Sequence, residues 1–464
     1  MCVVFTLSIW FGEKLWSLDY NFFSDFPIFS KSAQTAATEK EYTKPILGMP
    51  KSILISSSSD RKTVLSQKSA GFSVLWQNAK ESIKTFLSDE SKVPVVVRES
   101  TWKSALQKDY VYIDYQAHYS TEFLSQNYSC DYRTGKYVFN SIIIKPPDPK
   151  GDQYTFLLHD TLTGKIYQFY VPSEKIHLIP ADYMPYMENQ NNRFSFEGNM
   201  DKPASENSVG SSTQKVFIDS MVLLNLDATT KPEIKPVNPV ATDKNVLDEK
   251  MISTIASLFN VNPHTMRKFT DEDSSVTFVE NYATLKIHAD GYIEYKVTNE
   301  NTAPALPSLS SSSYRTVYAA ADFIDSVIRA TDCQNELILN TDVVDDPIDG
   351  NLSMSFDYKI SATPVVLNIA SSSHSTVKNA IELQIKNNKL VSYKHYLRHY
   401  ATTNVTTNLE STFTAIDKLL TYQSLKTPVQ ISDMHAIYLD NSKSAILNAR
   451  WFVALSGNKN IVLN

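Results

Sequence analysis

The sequence predicts an α+β protein of several domains, with antiparallel sheets carrying packed helices: an N-terminal α+β domain followed by two related helix-plus-hairpin modules. Three observations predict it. A strongly periodic amphipathic stretch precedes a series of short alternating segments, and a helix-then-hairpin order occurs twice in the second half. Only 11 glycines are spread over 464 residues, too few to suggest the Gly-rich phosphate loops of doubly wound nucleotide folds. The 25 tyrosines and 22 phenylalanines suit strands with half-buried faces. At this length about two to four domains are expected.

The chain opens with "MCVVFTLSIWFGEKLW" (Met1–Trp16), apolar from Cys2 to Phe11 and then broken by Glu13 and Lys14. This run is only about half of the roughly 20 residues a spanning helix needs. It lacks the basic segment and the small-residue cleavage site of a secretory signal. Trp10, Phe11, Trp16, Tyr20, Phe22 and Phe23 are aromatics that favour the headgroup level of a membrane. Residues 1–23 are therefore expected to be the outer end of a truncated transmembrane anchor, with Phe5, Ser8, Ile9 and Gly12 as its contact residues. The competing expectation is a buried core element, with Phe5, Ile9 and Trp10 inside the first domain. Residues 24–51 are polar, contain Pro45 and Pro50, and read as a juxtamembrane linker.

The first domain is expected over residues 52–200. Phe72, Leu75, Trp76, Ala79, Ile83, Phe86 and Leu87 recur at three- and four-residue steps, which predicts a helix with one buried stripe. "YVYIDY" (Tyr110–Tyr115) and "KYVFNSIIIK" (Lys136–Lys145) read as strands. "QYTFLLHDTLTGKIYQFYV" (Gln153–Val171) reads as a hairpin closing near Thr163-Gly164, where Gly supplies the positive φ a tight turn requires. Polar stretches such as "TNENTAPALPSLSSSS" (Thr298–Ser313) read as joints.

The middle module, 214–300, contains a helix over Val246–Asn260 and a hairpin that alternates through Leu285 and Ile287 into Asp290-Gly291 and out through Ile293, Tyr295 and Val297. The last module, 314–464, repeats the order with a helix over Val317–Ala330, the segment "MSFDYKISATPVVL", and a hairpin in which Asn387-Asn388 takes the turn. A helix over Leu409–Leu420 and strands around "MHAIYL" and "RWFVAL" complete it.

Composition narrows function. A net charge of −6 offers no footprint for nucleic acid. Cys2, Cys130 and Cys333 are far apart, with no CxxC to support zinc or redox chemistry, and they leave the compartment open. His395 and His399 are four apart, a metal spacing on a helix, but their tyrosine-rich surroundings predict a strand, where they stand about 13 Å apart. The acidic run "TDVVDDPIDGN" (Thr341–Asn351) lacks EF-hand spacing and a closing Glu, and reads as a solvated turn. No GxSxG or HExxH occurs. No catalytic, metal or cofactor residue is assigned, and paired carboxylates are not identifiable from sequence because their separation is three-dimensional.

The chain resembles the YycH/YycI group, membrane-anchored extracytoplasmic regulators of the WalK (YycG) sensor kinase in low-GC Gram-positive bacteria. "FVENYATLKIHADGYIEYKV", with Tyr282 and Tyr295, is similar to that family's tyrosine-bearing strand and hairpin ending in Glu-Tyr. "FDYKISATPVVL" resembles its Phe-x-Tyr, turn and Pro-Val pattern, matched by Phe356, Tyr358, Pro364 and Val365, with Ser361-Ala362 where the family has an Asn-Gly type of turn. "ILNARWFV", with Trp451, is similar to the family's ending, except that Ala449 stands where Pro is usual. These are structural motifs.

The resemblance implies a non-enzymatic regulator with one transmembrane helix and its body outside the cell. It also implies two partners, a sensor histidine kinase and a YycI-like co-regulator, and no cofactor. A helix in lipid biases a kinase only by packing differently against its two states, and Ser8 and Gly12 permit close approach. Two other readings stand beside it: an extracytoplasmic binder of peptides or wall fragments, by strand addition at a sheet edge, and a cell-envelope hydrolase. Converging acidic or His side chains with perturbed pKa values in a cleft favour the hydrolase.

Overall fold

Strands β1 (Pro50–Ser56) and β2 (Lys62–Ser66) begin the architecture as an antiparallel pair. The computed structural model describes residues 47–463, apart from internal stretches of which the longest are 186–197, 203–213, 219–227, 307–313, 345–350 and 422–428. The expected anchor, 1–23, the linker as far as residue 46, and 341–342 and 345–350 of the acidic run lie outside the described residues, as do Phe5, Ser8, Ile9 and Gly12. Among the described residues no helix is long and apolar enough to cross a membrane.

Helix α1 (Phe72–Leu87) forms where the periodicity places it, and its stripe of Phe72, Leu75, Ala79, Ile83, Phe86 and Leu87 is buried. Its last carbonyls are capped from a distant loop: Thr134 Oγ1 donates to Phe86 O at 2.8 Å and the Arg133 N–H donates to Leu87 O at 3.0 Å. Next come β3 (Val95–Val97), α2 (Glu99–Ala105), β4 (Tyr110–Ser120), α3 (Thr121–Asn127), β5 (Val138–Lys145), β6 (Gln153–Asp160) and β7 (Lys165–Pro172). The sheet order is β2-β1-β4-β5-β6-β7-β3. Phe86 of α1 stacks on Phe156 and meets Phe169 edge-on, at ring separations of 5.0 and 4.9 Å. The α2 side buries Trp102 and Ala105 with Leu54, Tyr112, Leu157 and Ile166. Gly164, at φ +68°, closes the β6–β7 hairpin as expected.

The second sheet draws on the rest of the chain: β8 (Gly198–Lys202), β9 (Gln214–Ile218), β10 (Thr229–Val237), α4 (Glu249–Leu258), β11 (Arg267–Thr270), β12 (Val276–Val279), β13 (Ala283–Ile287), β14 (Tyr292–Val297) and α5 (Arg315–Ala330). There follow β15 (Glu336–Leu339), β16 (Val343–Val344), β17 (Leu352–Ile360), β18 (Thr363–Leu367), β19 (Ile381–Lys386), β20 (Lys389–Tyr396), β21 (His399–Leu409), α6 (Thr412–Leu420), β22 (Val429–Asp440), β23 (Ala449–Leu455) and β24 (Lys459–Leu463). Its main path is β11-β12-β13-β14-β20-β19-β17-β18-β22-β23-β24, while β10 pairs with β21 as a two-stranded ribbon and bridges to Leu447 through Ile234. Helix α4 starts at Glu249, later than the periodicity suggests, because the Asp248 carboxylate accepts the Lys250 N–H as an N-cap.

The two repeated hairpins join edge to edge. β14 pairs antiparallel with β20, which sets Tyr295 opposite Tyr393. Phe259, at the end of α4, lies 4.8 Å from Tyr295 and 5.4 Å from Tyr393, and Phe323 of α5 lies 5.5 Å from Phe259 and 5.4 Å from Tyr393. Both helices thus cover one composite sheet. Pairing is antiparallel except for β16 on β4, β18 on β22 and β9 on β22. The first of these carries the later chain into the first sheet. Beside it Tyr314 packs edge-on against Phe123 at 5.1 Å, and its hydroxyl lies 3.1 Å from Ser120 Oγ.

The turns differ in kind. Asp290-Gly291 does not form a two-residue turn. Gly291 N–H donates to His288 O at 3.0 Å with Gly291 alone at positive φ, +96°, the three-residue loop with a left-handed Gly. A Cβ at Gly291 would meet Leu397 O at 2.8 Å. Asn387-Asn388 and Ser361-Ala362 are the two-residue turns with both φ positive, and Ser361 (+48°) and Ala362 (+66°) bear that conformation without the residues suited to it. The paired change Ser361→Asn with Ala362→Gly is expected to stabilise the protein by about 1 kcal/mol. The check is the urea midpoint at unchanged slope, and an unchanged or lowered midpoint contradicts the strain.

Candidate functional site

The residues singled out by sequence fall into the core of the second sheet. Phe356 and Val365 are fully buried, Val365 where β18 runs parallel to β22. Pro364 pairs with Lys359 across the strained turn. Tyr282 is half-buried, and its hydroxyl donates to Asn260 O at 3.4 Å. Tyr295 is buried with no hydrogen-bond partner for its hydroxyl. Trp451 donates from Nε1 to Glu410 O at 3.0 Å, holding the entry to α6.

Tyr358 organises a buried polar network. Its hydroxyl lies 2.8 Å from both Tyr396 O and His395 Nε2, and Tyr393 Oη lies 2.8 Å from His395 Nδ1. A phenol has one proton. Tyr358 gives it to the Tyr396 carbonyl, so His395 Nε2–H donates to Tyr358 and Nδ1 accepts from Tyr393. Burial pushes His395 down to about 3, which fits this neutral tautomer. His395 is thus a structural residue in a strand, and His399 follows on β21. Around it Arg398 stacks on the Tyr396 ring at 4.2 Å and donates to Asp290 O at 2.7 Å, while Tyr400 Oη donates to Asp440 Oδ2 at 2.8 Å. Cys333, buried alongside, has its thiol pushed up to about 12 by desolvation and is inert.

A second set of charges was not selected from sequence. Lys51 of β1, Asp114 of β4 and Asp433 of β22 come from both sheets into electrostatic reach of one another. Each stands at a register break: β1 on β4 shifts between Pro50 and Ser52, β4 on β5 after Asp114, and β22 on β23 between Ile431 and Asp433. Bulges re-aim side chains and recur beside functional sites. Lys51 is open to solvent yet recessed. Burial lowers its pKa, and Asp114 and Asp433 more than offset this, leaving it raised. Desolvation pushes Asp114 up to about 6, against the pull of Lys51. Asp433 goes the other way. Desolvation works to raise it, but the bond from His435, whose Nδ1 is 3.0 Å away, and the Lys51 charge bring it to about 2. The result is two carboxylates, one readily protonated and one held ionised, with an ammonium and an imidazole beside them. The one signal in the sequence was Asp114 itself, a carboxylate inside a strand whose neighbours are buried on both faces. Among the described residues no group of three His, Cys, Asp or Glu side chains is placed to hold a metal ion.

The fold that carries these sites is similar to that of a solved structure, YycH from Bacillus subtilis, with a TM-score of 0.56 and 13% identity over 91% of this chain and 98% of that chain. The fold is YycH-like. No family model and no curated protein matches the chain. At this identity the likeness is one of fold, and it spans both sheets rather than a single module. Tyr358, Phe356 and Val365, the motif residues of the sequence, therefore serve the core of a YycH-like fold, whereas the Lys51, Asp114 and Asp433 cluster lies at the seam between its sheets.

The seam makes stability depend on pH with a definite sign. Asp114 holds a proton more tightly folded than unfolded, so its contribution falls as pH rises from 3.8 to about 6. Asp433 binds its proton less tightly when folded, so its contribution is full above 3.8 and is lost as pH falls toward about 2. Asp114→Asn is expected to flatten the decline between these acid pH values, leaving the share of Asp357, which desolvation also raises to about 6. Denaturant unfolding at several pH values measures it, and an unaltered slope contradicts the assignment.

Proposed function

We propose that this protein is a non-enzymatic, membrane-anchored extracytoplasmic regulator that modulates a sensor histidine kinase of the WalK/YycG type through protein contacts. The carrying observation is the YycH-like fold across 91% of the chain. The proposal takes residues 1–23 as a single-pass anchor, with Phe5, Ser8, Ile9 and Gly12 against the kinase's membrane helices, and the 24–51 segment, as far as the start of β1 at Pro50, as the spacer to a body of three parts, 52–200, 214–300 and 314–464. A YycI-like co-regulator is the second partner in this reading. A packing surface works by stabilising one of the kinase's two states more than the other.

One observation favours a second reading, an envelope hydrolase. Asp114 and Asp433 have pKa values pushed apart, to about 6 and about 2, the pattern of an acid–base pair. Lys51, within electrostatic reach of both, gives the pair a charge-balancing role that needs no chemistry.

The test is photocrosslinking from Ser8 and Gly12 in cell membranes, followed by pull-down of the full chain. The expected catch is a sensor histidine kinase, accompanied by altered wall-gene expression in a deletion strain. Recovery of no kinase together with unchanged expression overturns the regulatory reading. Complementation by the Asp114→Asn, Asp433→Asn double variant supports it over the hydrolase.

A further inference from the structure

The turn between β13 and β14 holds an arrangement that neither the core network nor the seam uses. His374, in the connection between β18 and β19, points Nε2 at Asp290 Oδ2, 2.7 Å away, and Nδ1 at the Ser375 carbonyl oxygen, 2.8 Å away. Its side chain is only 1% exposed. The ring lies 4.4 Å from that of Tyr292 and 5.2 Å, edge-on, from that of His288.

Proton counting decides the state. A carbonyl and an ionised carboxylate only accept, and a neutral imidazole has a single N–H. A neutral His374 beside an ionised Asp290 would set a lone pair against an oxygen at under 3 Å. The contacts are satisfied only if the pair carries one further proton, on the line between Nε2 and Oδ2, with Nδ1–H donating to Ser375 O. The surroundings are mixed in charge. Arg398 donates to Asp290 O, Lys286 and Asp273 act on His288 with opposite sign, and Glu294 and Glu382 both act on Tyr292 as negative charges. His288 has Nδ1 3.3 Å from Ser275 Oγ and a buried Nε2 with no hydrogen-bond partner, and burial pushes it down to about 4. It stays neutral where the pair holds its proton.

The two sides of this contact are held differently. Asp290 Oδ1 accepts the Tyr292 N–H at 3.1 Å, Asp290 O accepts from Arg398, and Ala289 O accepts from Asn238 Nδ2 at 2.8 Å. Among the described residues, the segment bearing His374 is tied by an antiparallel bridge, with Val377 N–H donating to Ile369 O at 2.9 Å and Ile369 N–H donating to Val377 O at 3.2 Å, and by a side-chain hydrogen bond between Ser375 and Tyr292. We infer that His374 and Asp290 form a proton-binding clamp that fastens the β18–β19 connection of one repeated module to the hairpin turn of the other, and that loss of its proton loosens the connection and leaves the turn in place.

The test is histidine nitrogen NMR of the full chain, combined with amide hydrogen exchange. Expected is a His374 ring with both nitrogens protonated in mild acid, one of the two protons being lost as the pH is raised. In step with it, exchange at Val377 accelerates about tenfold beyond the intrinsic pH effect while Tyr292 holds. His374→Gln and Asp290→Asn are each expected to abolish the step at Val377. A His374 with a single N–H throughout, the absence of any step, or a step that survives in His374→Gln overturns the inference, whether or not the other variant folds.

Discussion

The pairing of β14 with β20 is the constraint on which the second half of the molecule depends. It brings Tyr295 and Tyr393 face to face under Phe259 and Phe323. A two-stranded hairpin is at best marginally stable alone, and this pairing merges the β11-β12-β13-β14 strands of one module with the β20-β19-β17-β18 strands of the other into one sheet. The buried Tyr295 hydroxyl without a partner is the cost of bringing two tyrosines to the join. Tyr393 avoids it by turning its hydroxyl to His395, which extends the join into the polar network around Tyr358 and Arg398.

Local signals were legible, and non-local ones were not. The helix at Phe72–Leu87 and the hairpins at Gly164, Gly291 and Asn387-Asn388 follow from period and turn chemistry within about 20 residues. The detail of the Asp290-Gly291 turn did not follow, because its geometry is set by Asn238 and Arg398, distant in sequence. Strand order was equally hidden. Nothing in "TDVVDD" announces that Val343 and Val344 pair with His118 and Tyr119 of the first sheet. Lys51 read as the end of a linker, and its partnership with Asp114 and Asp433 exists only because three register breaks turn them toward one seam. The resemblance read from the sequence matches the fold, and Phe356, Tyr358 and Val365 are each buried in its core.

The seam and the clamp differ in physical character. At the seam, partly buried carboxylates and an ammonium from two sheets balance one another. At the clamp, a buried imidazole and a carboxylate share a proton between a connection and a hairpin turn. A regulator that works by contact needs an element with two arrangements whose balance another molecule can tip, and the join between the repeats is where this fold places the less constrained partner.

The regulatory account is tested most directly by the autophosphorylation rate of the sensor kinase reconstituted in vesicles with and without the full-length chain. The account predicts that the chain changes the rate severalfold and that the Asp114→Asn, Asp433→Asn double variant changes it equally. A kinase rate indifferent to the bound chain, or an effect that vanishes with the two carboxylates, contradicts regulation by contact.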